Sequence, residues 1–207
     1  MKLYEFGPTR SLRVRWTLQE MGVPFESVVV NLAKGEHHAP AFLEVNPAAR
    51  IPVLVDGPHV LNESAAIVLY LADKYPDRGM LPADLAGRGQ AYRWLFFTVT
   101  ELEQPLWRIT RNTRLYPEGE RLPGDVAVAS RELREMAAVL EEHMRGREYV
   151  AGARVSVVDF VLAWTLDWAN EYELLGACPT LLAYMNRMYA RPHAPPRIAE
   201  EFARLAS

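Results

Sequence analysis

Cysteine is almost absent from this sequence, which has one, Cys178, in 207 residues. A single thiol excludes an intrachain disulfide, a cysteine-rich zinc site and a Cys-x-x-Cys motif for disulfide exchange. Disulfides are rare in reducing compartments, so a chain with a single cysteine is consistent with a reducing compartment. We therefore expect a cytoplasmic protein with no metal site and no catalytic thiol of its own.

An excess of charge is missing as well, because 23 lysines and arginines stand against 26 aspartates and glutamates. With a net charge of −3, the protein is not basic, as proteins that bind nucleic acids or anionic membranes typically are. Long apolar runs are also missing: charges interrupt the N-terminal stretch, where a signal peptide would need about 7–15 apolar residues. No window approaches the roughly 18 apolar residues of a membrane-spanning helix. We expect a soluble protein with no nucleic-acid partner and no membrane partner.

Half of the residues are hydrophobic, and their spacing in residues 1–76 alternates between strand-like and helix-like runs. Phe25–Val30 runs into β-branched residues, as a buried strand does, and Asp56-Gly57 is a strong hairpin signal. The order βαβ, α, ββ, α predicts a mixed four-stranded sheet with helices packed on it. We predict strands at Lys2–Phe6, Phe25–Val30, Val53–Val55 and His59–Leu61, and helices at Ser11–Met21, Ala39–Glu44 and Ser64–Tyr75.

The pattern changes at about Leu85, after which only helical spacing occurs. Val158–Tyr172 is largely apolar and should form the buried centre of this half. We predict a domain over residues 1–76, a linker over 77–86 and an all-helical domain over 87–207. The predicted helices are Gly89–Trp107 (bent near Pro105), Asp125–Met144, Val158–Tyr172, Thr180–Ala190 and Pro196–Leu205.

Four motifs together resemble the cytosolic glutathione S-transferase family over nearly the whole chain. They are NPAARIPVL (46–54), NESAAIVLYL (62–71), GARVSVVDFVLA (152–163) and YARPHAP (189–195). The resemblance implies a thioredoxin-like N-terminal domain with a mixed four-stranded sheet, joined to a C-terminal helical bundle. It also implies glutathione as co-substrate, a small hydrophobic electrophile as second substrate, a role in detoxification and a homodimer.

Pro52 lies between strand-like residues, where a proline forfeits a ladder hydrogen bond. The resemblance implies that the Ile51–Pro52 bond is cis and turns the backbone of Ile51 outward. The cysteinyl backbone of glutathione would then pair with Ile51 as an added strand. The alternative is an ordinary trans proline at the start of a strand.

The polar residues before the helix at Ser64 are the second predicted contact with glutathione. A helix N-terminus offers unpaired N–H groups and a partial positive charge, which attract a carboxylate. The resemblance implies that Ser64 binds the γ-glutamyl carboxylate and that Glu63 faces the ammonium group. The alternative is that Ser64 only caps the helix.

Three basic residues are candidates for binding the glycine carboxylate at the other end of glutathione. His37 and His38 occupy a position where some family classes have His or Lys, and Arg50 precedes Ile51 where others have Lys or Gln. Exposed basic residues often bind nothing specific, so the alternative for each of the three is a solvent-exposed side chain that binds no ligand.

The residue that activates the glutathione thiol should lie just after the first strand, where family members use Tyr, Ser or Cys. No Tyr or Cys lies between Phe6 and Trp16, so the candidates are Ser11, Thr9 and, as an electrostatic helper, Arg10. Ser11, at the start of the helix, has the better geometry for donating a hydrogen bond to the thiolate. The alternative is that Ser11 is only a helix cap. The two arginines that follow on the same helix, Arg13 and Arg15, are interpreted as surface residues.

Three further features lie in the helical half. Ser156 and Asp159 resemble a capping box and are assigned a structural role. WRITRNTRLYP (107–117) brings arginines and aromatic residues together, and is either an electrophile-binding helix end or a solvated face. Trp164 and Trp168, four residues apart, are expected in the core.

The predicted function is conjugation of the glutathione thiolate to small hydrophobic electrophiles. A glutathione-dependent peroxidase or disulfide reductase is the alternative among enzymes. A non-catalytic binding or regulatory protein with the same fold is the alternative from another class.

Overall fold

The computed structural model describes residues 1–206, which divide into two compact units. The first comprises Met1–Leu81 together with the chain from Tyr189 onward, and the second comprises Pro82–Met188. The junction at Leu81 lies inside the predicted linker, residues 77–86. The residues from Tyr189 onward group with the first unit, whereas the sequence analysis assigns them to the helical domain. In the described part of the chain, no helix combines the length and apolar character that crossing a membrane requires.

The first unit is built on a mixed four-stranded sheet in the order β2-β1-β3-β4. β1 pairs with β2 in parallel, and β3 pairs with both β1 and β4 in antiparallel fashion. Gly57, with φ +58°, forms the predicted hairpin turn between the last two strands. The mixed sheet is thioredoxin-like, as expected. The strands are β1 (Lys2–Glu5), β2 (Glu26–Val29), β3 (Val53–Asp56) and β4 (His59–Asn62).

The expectation that the second strand is buried is wrong. β2 lies at an edge of the sheet and pairs only with β1 among the described residues. Val29 is 62% exposed, and Glu26 and Ser27 are exposed as well. The run of β-branched residues identifies a strand, but its place in the sheet is set by non-local pairing that the local pattern does not encode.

Three helices complete the N-terminal part of the first unit. α1 and α3 pack against each other, and their buried side chains include Leu12, Trp16, Ile67 and Leu71. A smaller apolar cluster of Val30, Phe42 and Val53 ties the α2 segment to the sheet. The helices are α1 (Ser11–Glu20), α2 (Pro40–Leu43) and α3 (Ser64–Lys74).

The second unit is helical; its first long helix contains one π-helical turn, Thr98–Leu102, and ends in another, Arg111–Leu115. A continuous helix bent near Pro105 was expected. Pro105 instead stands third in the α-helical segment that directly follows the first π turn, and Leu102 before that segment keeps right-handed helical angles (φ −96°, ψ −44°). The helices are α4 (Leu85–Phe97), α5 (Glu103–Thr110), α6 (Pro123–Met144), α7 (Val157–Asn170) and α8 (Pro179–Tyr189).

The centre of the second unit is α7, as predicted. Its residues from Val157 to Ala169 are all buried, and Trp164 and Trp168 are 4% and 7% exposed. The predicted capping box is present, because Ser156 and Asp159 bond each other's backbone N–H groups. Asp159 also accepts hydrogen bonds from the Val150 N–H at 2.9 Å and the Tyr184 hydroxyl at 2.8 Å.

The chain from Tyr189 onward packs on α1. Arg191 donates from Nε and from a terminal nitrogen to the Glu20 carboxylate at 2.7 and 2.8 Å. The rings of Trp16 and Tyr189 lie 5.2 Å apart. The last helix, α9 (Ile198–Ala206), buries Ile198, and the Glu201 carboxylate lies against the backbone at Gly7.

Candidate active site

The segment before β3 presents a backbone that the sheet does not use. The Ile51–Pro52 bond is cis, as predicted, and the β1–β3 ladder ends at the Tyr4–Val53 pair. Ile51 therefore lies outside the ladder, with its side chain packed on the apolar cluster described above. Asn46 secures the preceding loop by donating to the Arg50 carbonyl at 2.8 Å. The backbone of Ile51 is therefore held next to the sheet without being part of its hydrogen-bond ladder.

The turn into α3 contains a strained residue. Glu63 has φ +64° and ψ +106°, a conformation that non-glycine residues rarely adopt, and its side chain is exposed. Such strain costs of the order of 1–3 kcal/mol and clusters at functional sites. Glu63 occupies the N-cap position and no side chain caps the helix. Ser64 is the first residue of α3, so the interpretation of Ser64 as a simple cap finds no support in the geometry.

A buried arginine contacts Ser64. The Arg13 side chain donates from a terminal nitrogen to Ser64 Oγ at 3.2 Å, and the two residues are 1% and 5% exposed. The expectation that Arg13 lies on the surface is therefore wrong. The helical spacing indicates this burial, because Arg13 stands three residues before Trp16 and four before Thr17, on the buried face of α1. Arg15, the other presumed surface residue, is half-buried and paired with Glu5.

Two hydroxyl groups lie together at the start of α1. Ser11 Oγ accepts from the Phe6 N–H at 3.4 Å and bonds to Thr9 Oγ1 at 2.8 Å. Thr9 Oγ1 also lies within hydrogen-bond distance of the Phe6 carbonyl and accepts from the Ser11 N–H at 3.2 Å. Ser11 is fully buried, whereas Thr9 and Arg10 are half-buried. Of the two candidates that carry a hydroxyl, Thr9 is thus the less buried residue.

The three basic candidates at the other end of the site lie near one another. The rings of His37 and His38 are 4.0 Å apart. Burial lowers the pKa of His37 below its ordinary value, and the neighbouring His38 and Arg50 charges lower it further. His37 Nδ1 is buried and has no hydrogen-bond partner within residues 1–206. This atom is suited to a polar ligand, since a buried polar atom without a partner costs free energy.

The described residues contain no group of three or more His, Cys, Asp and Glu side chains that could hold a metal ion. In the helical unit, Arg108 pairs with Asp125 and Glu132, which gives this arginine a structural role. Arg111 instead lies beside the Trp107 and Tyr116 rings.

A thioredoxin-like unit with a cis proline before β3 and a strained turn at the N-terminus of α3, followed in the chain by a helical unit, defines the class of protein. Family models for the glutathione S-transferase N-terminal and C-terminal domains match residues 1–73 and 104–192. The chain therefore belongs to the glutathione S-transferase family of enzymes.

Similar proteins come from plants, bacteria and fungi. Glutathione S-transferase F10 of Arabidopsis thaliana is 39% identical over 154 residues, 72% of this chain and 71% of the relative. Glutathione S-transferase GstA of Escherichia coli O157:H7 is 29% identical over 208 residues, 97% of this chain and 98% of the relative. The structure of glutathione transferase URE2P6 from Phanerochaete chrysosporium, in complex with oxidized glutathione, is 25% identical with a TM-score of 0.84. The match covers 99% of this chain and 96% of that one.

Proposed function

We propose that this protein joins the thiolate of glutathione to small hydrophobic electrophiles. The observation that carries the proposal is the Arg13–Ser64 hydrogen bond, which joins the first turns of α1 and α3. It links α1, which begins beside the Thr9–Ser11 hydroxyl pair, to the N-terminus of α3, which is suited to a carboxylate. Thiol activation and peptide binding thereby become parts of one site in the first unit.

Glutathione is proposed to bind along the edge of this unit in an extended conformation. Its γ-glutamyl carboxylate would accept from N–H groups of the first turn of α3 and from Ser64, with Glu63 facing the ammonium group. Its cysteinyl backbone would pair with Ile51 as an added strand next to Pro52. This arrangement uses the backbone of Ile51, which lies outside the β1–β3 ladder.

The glycine carboxylate is proposed to bind among His37, His38 and Arg50. Support comes from the buried, unpartnered Nδ1 of His37 and from the charges of its two neighbours. A carboxylate between imidazole and guanidinium groups accepts charge-assisted hydrogen bonds, which are about twice as strong as neutral ones.

The thiol is proposed to be activated by hydrogen bonding from the Thr9–Ser11 pair, with Arg10 as a nearby positive charge. A free thiol has a pKa of about 8.5, so only about 3% is thiolate at pH 7. Lowering that pKa by about two units would ionise most of it, a gain of at most about 25-fold. The thiolate then attacks the electrophile directly, and the protein supplies orientation and electrostatic stabilisation.

We further propose a detoxifying homodimer in the cytoplasm. Each unit exposes a large apolar residue that a partner subunit would cover: Val60 on β4 is 53% exposed, and Phe96 on α4 is 60% exposed. The mass in solution at micromolar concentration tests the dimer, and a monomeric mass would refute it.

The function is tested by retention on immobilised glutathione, followed by assays with a panel of electrophiles, peroxides and mixed disulfides. We expect retention and conjugation. Turnover of peroxides or disulfides without conjugation would identify the reductase alternative. Retention without any turnover would identify a binding protein, and failure to bind glutathione would overturn the proposal.

A further inference from the structure

The loop between β1 and α1 carries the Thr9–Ser11 hydroxyl pair, and one stretch of its backbone anchors both hydroxyls. Thr9 Oγ1 lies within hydrogen-bond distance of the Phe6 carbonyl, and the Phe6 N–H donates to Ser11 Oγ at 3.4 Å. The placement of the two hydroxyls therefore depends on the position of the backbone at Phe6 and at the residue that follows it, Gly7.

A carboxylate from the C-terminal helix α9 is packed on this backbone. A Cβ atom added to Gly7 would lie 2.5 Å from Glu201 Oε2 and 2.9 Å from Glu201 Cδ, which is closer than non-bonded atoms approach. The Glu201 side chain is only 17% exposed. The lack of a side chain at Gly7 therefore allows the carboxylate to contact the loop, and any larger residue would have to displace it.

The ion pair of Glu201 does not explain this burial. Its partner Arg204 lies 3.4 Å away and is 66% exposed, and pairs open to solvent contribute less than about 1 kcal/mol. The neighbouring carboxylate, Glu200, is exposed and accepts from the Arg197 N–H at 2.9 Å at the start of α9. Of these two carboxylates, Glu201 is the one that contacts the β1–α1 loop.

The C-terminal segment contacts the region of α1 at two places, both within the first unit. Arg191 pairs with Glu20, the last residue of α1, and Tyr189 packs on Trp16. Glu201 contacts the loop that leads into the first turn of the same helix. The segment therefore supports the entry to α1 as well as its end.

We propose that Glu201 is a positioning residue for thiol activation: by packing on Gly7, it holds the β1–α1 loop so that the Thr9–Ser11 pair can donate to the glutathione sulfur. This inference rests on the proposed transferase function and adds a residue to its thiol-activating part. A hydrogen bond weakens steeply when its distance or angle departs from the optimum, so a loop without this support should ionise the bound thiol less. The charge of Glu201 acts in the opposite direction, because a nearby negative charge disfavours a thiolate.

Glu201→Ala and Glu201→Gln separate packing from charge, since both remove the charge and only glutamine keeps the length of the side chain. The ultraviolet absorbance of the thiolate, followed against pH in the complex with glutathione alone, gives the pKa of the bound thiol. We expect this pKa to be about one unit higher in Glu201→Ala than in Glu201→Gln, which makes the thiolate fraction at pH 7 roughly threefold smaller. The kcat for conjugation at pH 7 should differ by the same factor. Equal thiol pKa values in the two variants would overturn the inference.

A double-mutant cycle with Gly7 tests the contact itself. Gly7→Ala places a methyl group where the carboxylate lies, so it should raise the thiol pKa by about one unit in the wild-type background. In Glu201→Ala the same change should have little effect, because the space is vacant. An equal effect in both backgrounds would show that the loop is not held through Glu201. Glu200→Gln, which removes the same charge from the neighbouring exposed residue, is the matched control and should leave the thiol pKa unchanged.

Hydrogen exchange of the backbone over residues 6–11, measured without glutathione, requires neither binding nor turnover. Exchange should be faster in Glu201→Ala than in Glu201→Gln, and equal rates would likewise overturn the inference. Faster exchange, combined with wild-type protein that leaves the pKa of glutathione at about 8.5, would instead count against the proposed transferase function alone.

Discussion

Thr9 and Ser11 share a hydrogen bond, so a change in either residue alters what the other can donate. Thr9→Val keeps the shape of the side chain and removes its hydroxyl. We expect kcat for conjugation at pH 7 to fall by up to about 25-fold, the limit set by the lost thiol ionisation. The loss should shrink as the pH approaches about 9, where glutathione ionises unaided. The measurement is a pH profile of kcat at saturating glutathione.

Ser11→Ala provides the comparison. It removes the acceptor of the buried Phe6 N–H, which should cost about 1–3 kcal/mol of stability. A pH-dependent loss of kcat in Ser11→Ala, with none in Thr9→Val, would assign the donor to Ser11. A loss in both variants that does not change with pH would contradict a role for either hydroxyl in ionising the thiol.

The strained backbone of Glu63 allows stability and function to be separated. Glu63→Gly places at φ +64° the one residue that adopts this conformation without a side-chain penalty. We expect a gain of about 1 kcal/mol in unfolding free energy, or roughly 2–4 °C in Tm for a chain of this size. The KM for glutathione should rise at least about tenfold, because the variant lacks the charge that we propose faces the γ-glutamyl ammonium.

Glu63→Gln is the control for the last prediction, because it keeps the side-chain length and the backbone strain. It should raise the KM for glutathione without raising Tm, and kcat should change less than KM since the contact is remote from sulfur. A stabilised Glu63→Gly variant with unaltered KM would show that the strain at this turn is unrelated to glutathione.

Among the elements, α7 depends on one buried carboxylate. Asp159 accepts hydrogen bonds from the Ser156 N–H and hydroxyl, the Val150 N–H and the Tyr184 hydroxyl. Burial raises its pKa, although these donors oppose the shift. Asp159→Ala should destabilise the protein by about 3 kcal/mol or more in urea unfolding, since it removes a cap and leaves buried donors unpaired. Ser156→Ala removes one hydroxyl and should cost about 1 kcal/mol; equal costs would contradict this role of Asp159.

The same elements show what the sequence could and could not predict. The capping box and the Asp56-Gly57 hairpin depend on residues close in sequence, and both were predicted correctly. The position of β2 at the sheet edge depends on its pairing with β1, and the partner of Arg13 is Ser64, which lies 51 residues away. No local pattern encodes such contacts. The additional donors on Asp159, from Val150 and Tyr184, were missed for the same reason.

At the scale of the whole molecule, the ion pair between Glu20 and Arg191 ties the C-terminal segment to α1. Burial alone would raise the pKa of Glu20, but the hydrogen bonds from Arg191 and Trp16 outweigh it and hold the pKa below its ordinary value. A depressed carboxyl pKa contributes stability that is present above the unfolded value of about 4.3 and is lost as the pH falls through the folded value. Arg191→Gln should therefore be less stable than wild type by about 1.5–3 kcal/mol at pH 7. The difference should disappear as Glu20 becomes protonated in acid.

Urea unfolding of both proteins at pH 7 and at about pH 3 checks this expectation. Glu26→Gln serves as the control, since the Lys2–Glu26 pair is exposed on both sides and should contribute less than about 1 kcal/mol. A difference between Arg191→Gln and wild type that persists unchanged in acid would show that the segment is held by packing, such as that of Trp16 on Tyr189, and not by the ion pair.

The return of the chain from Tyr189 onward to the first unit has a consequence for synthesis. The helical unit is inserted, in sequence terms, within the thioredoxin-like one. Residues 1–81 leave the ribosome before the helical unit, yet the partners of Trp16 and Glu20 are translated after that unit. Part of α1 in the nascent first unit therefore stays uncovered until more than a hundred further residues (82–188) have been translated. The first unit is therefore completed only after the helical unit has been translated.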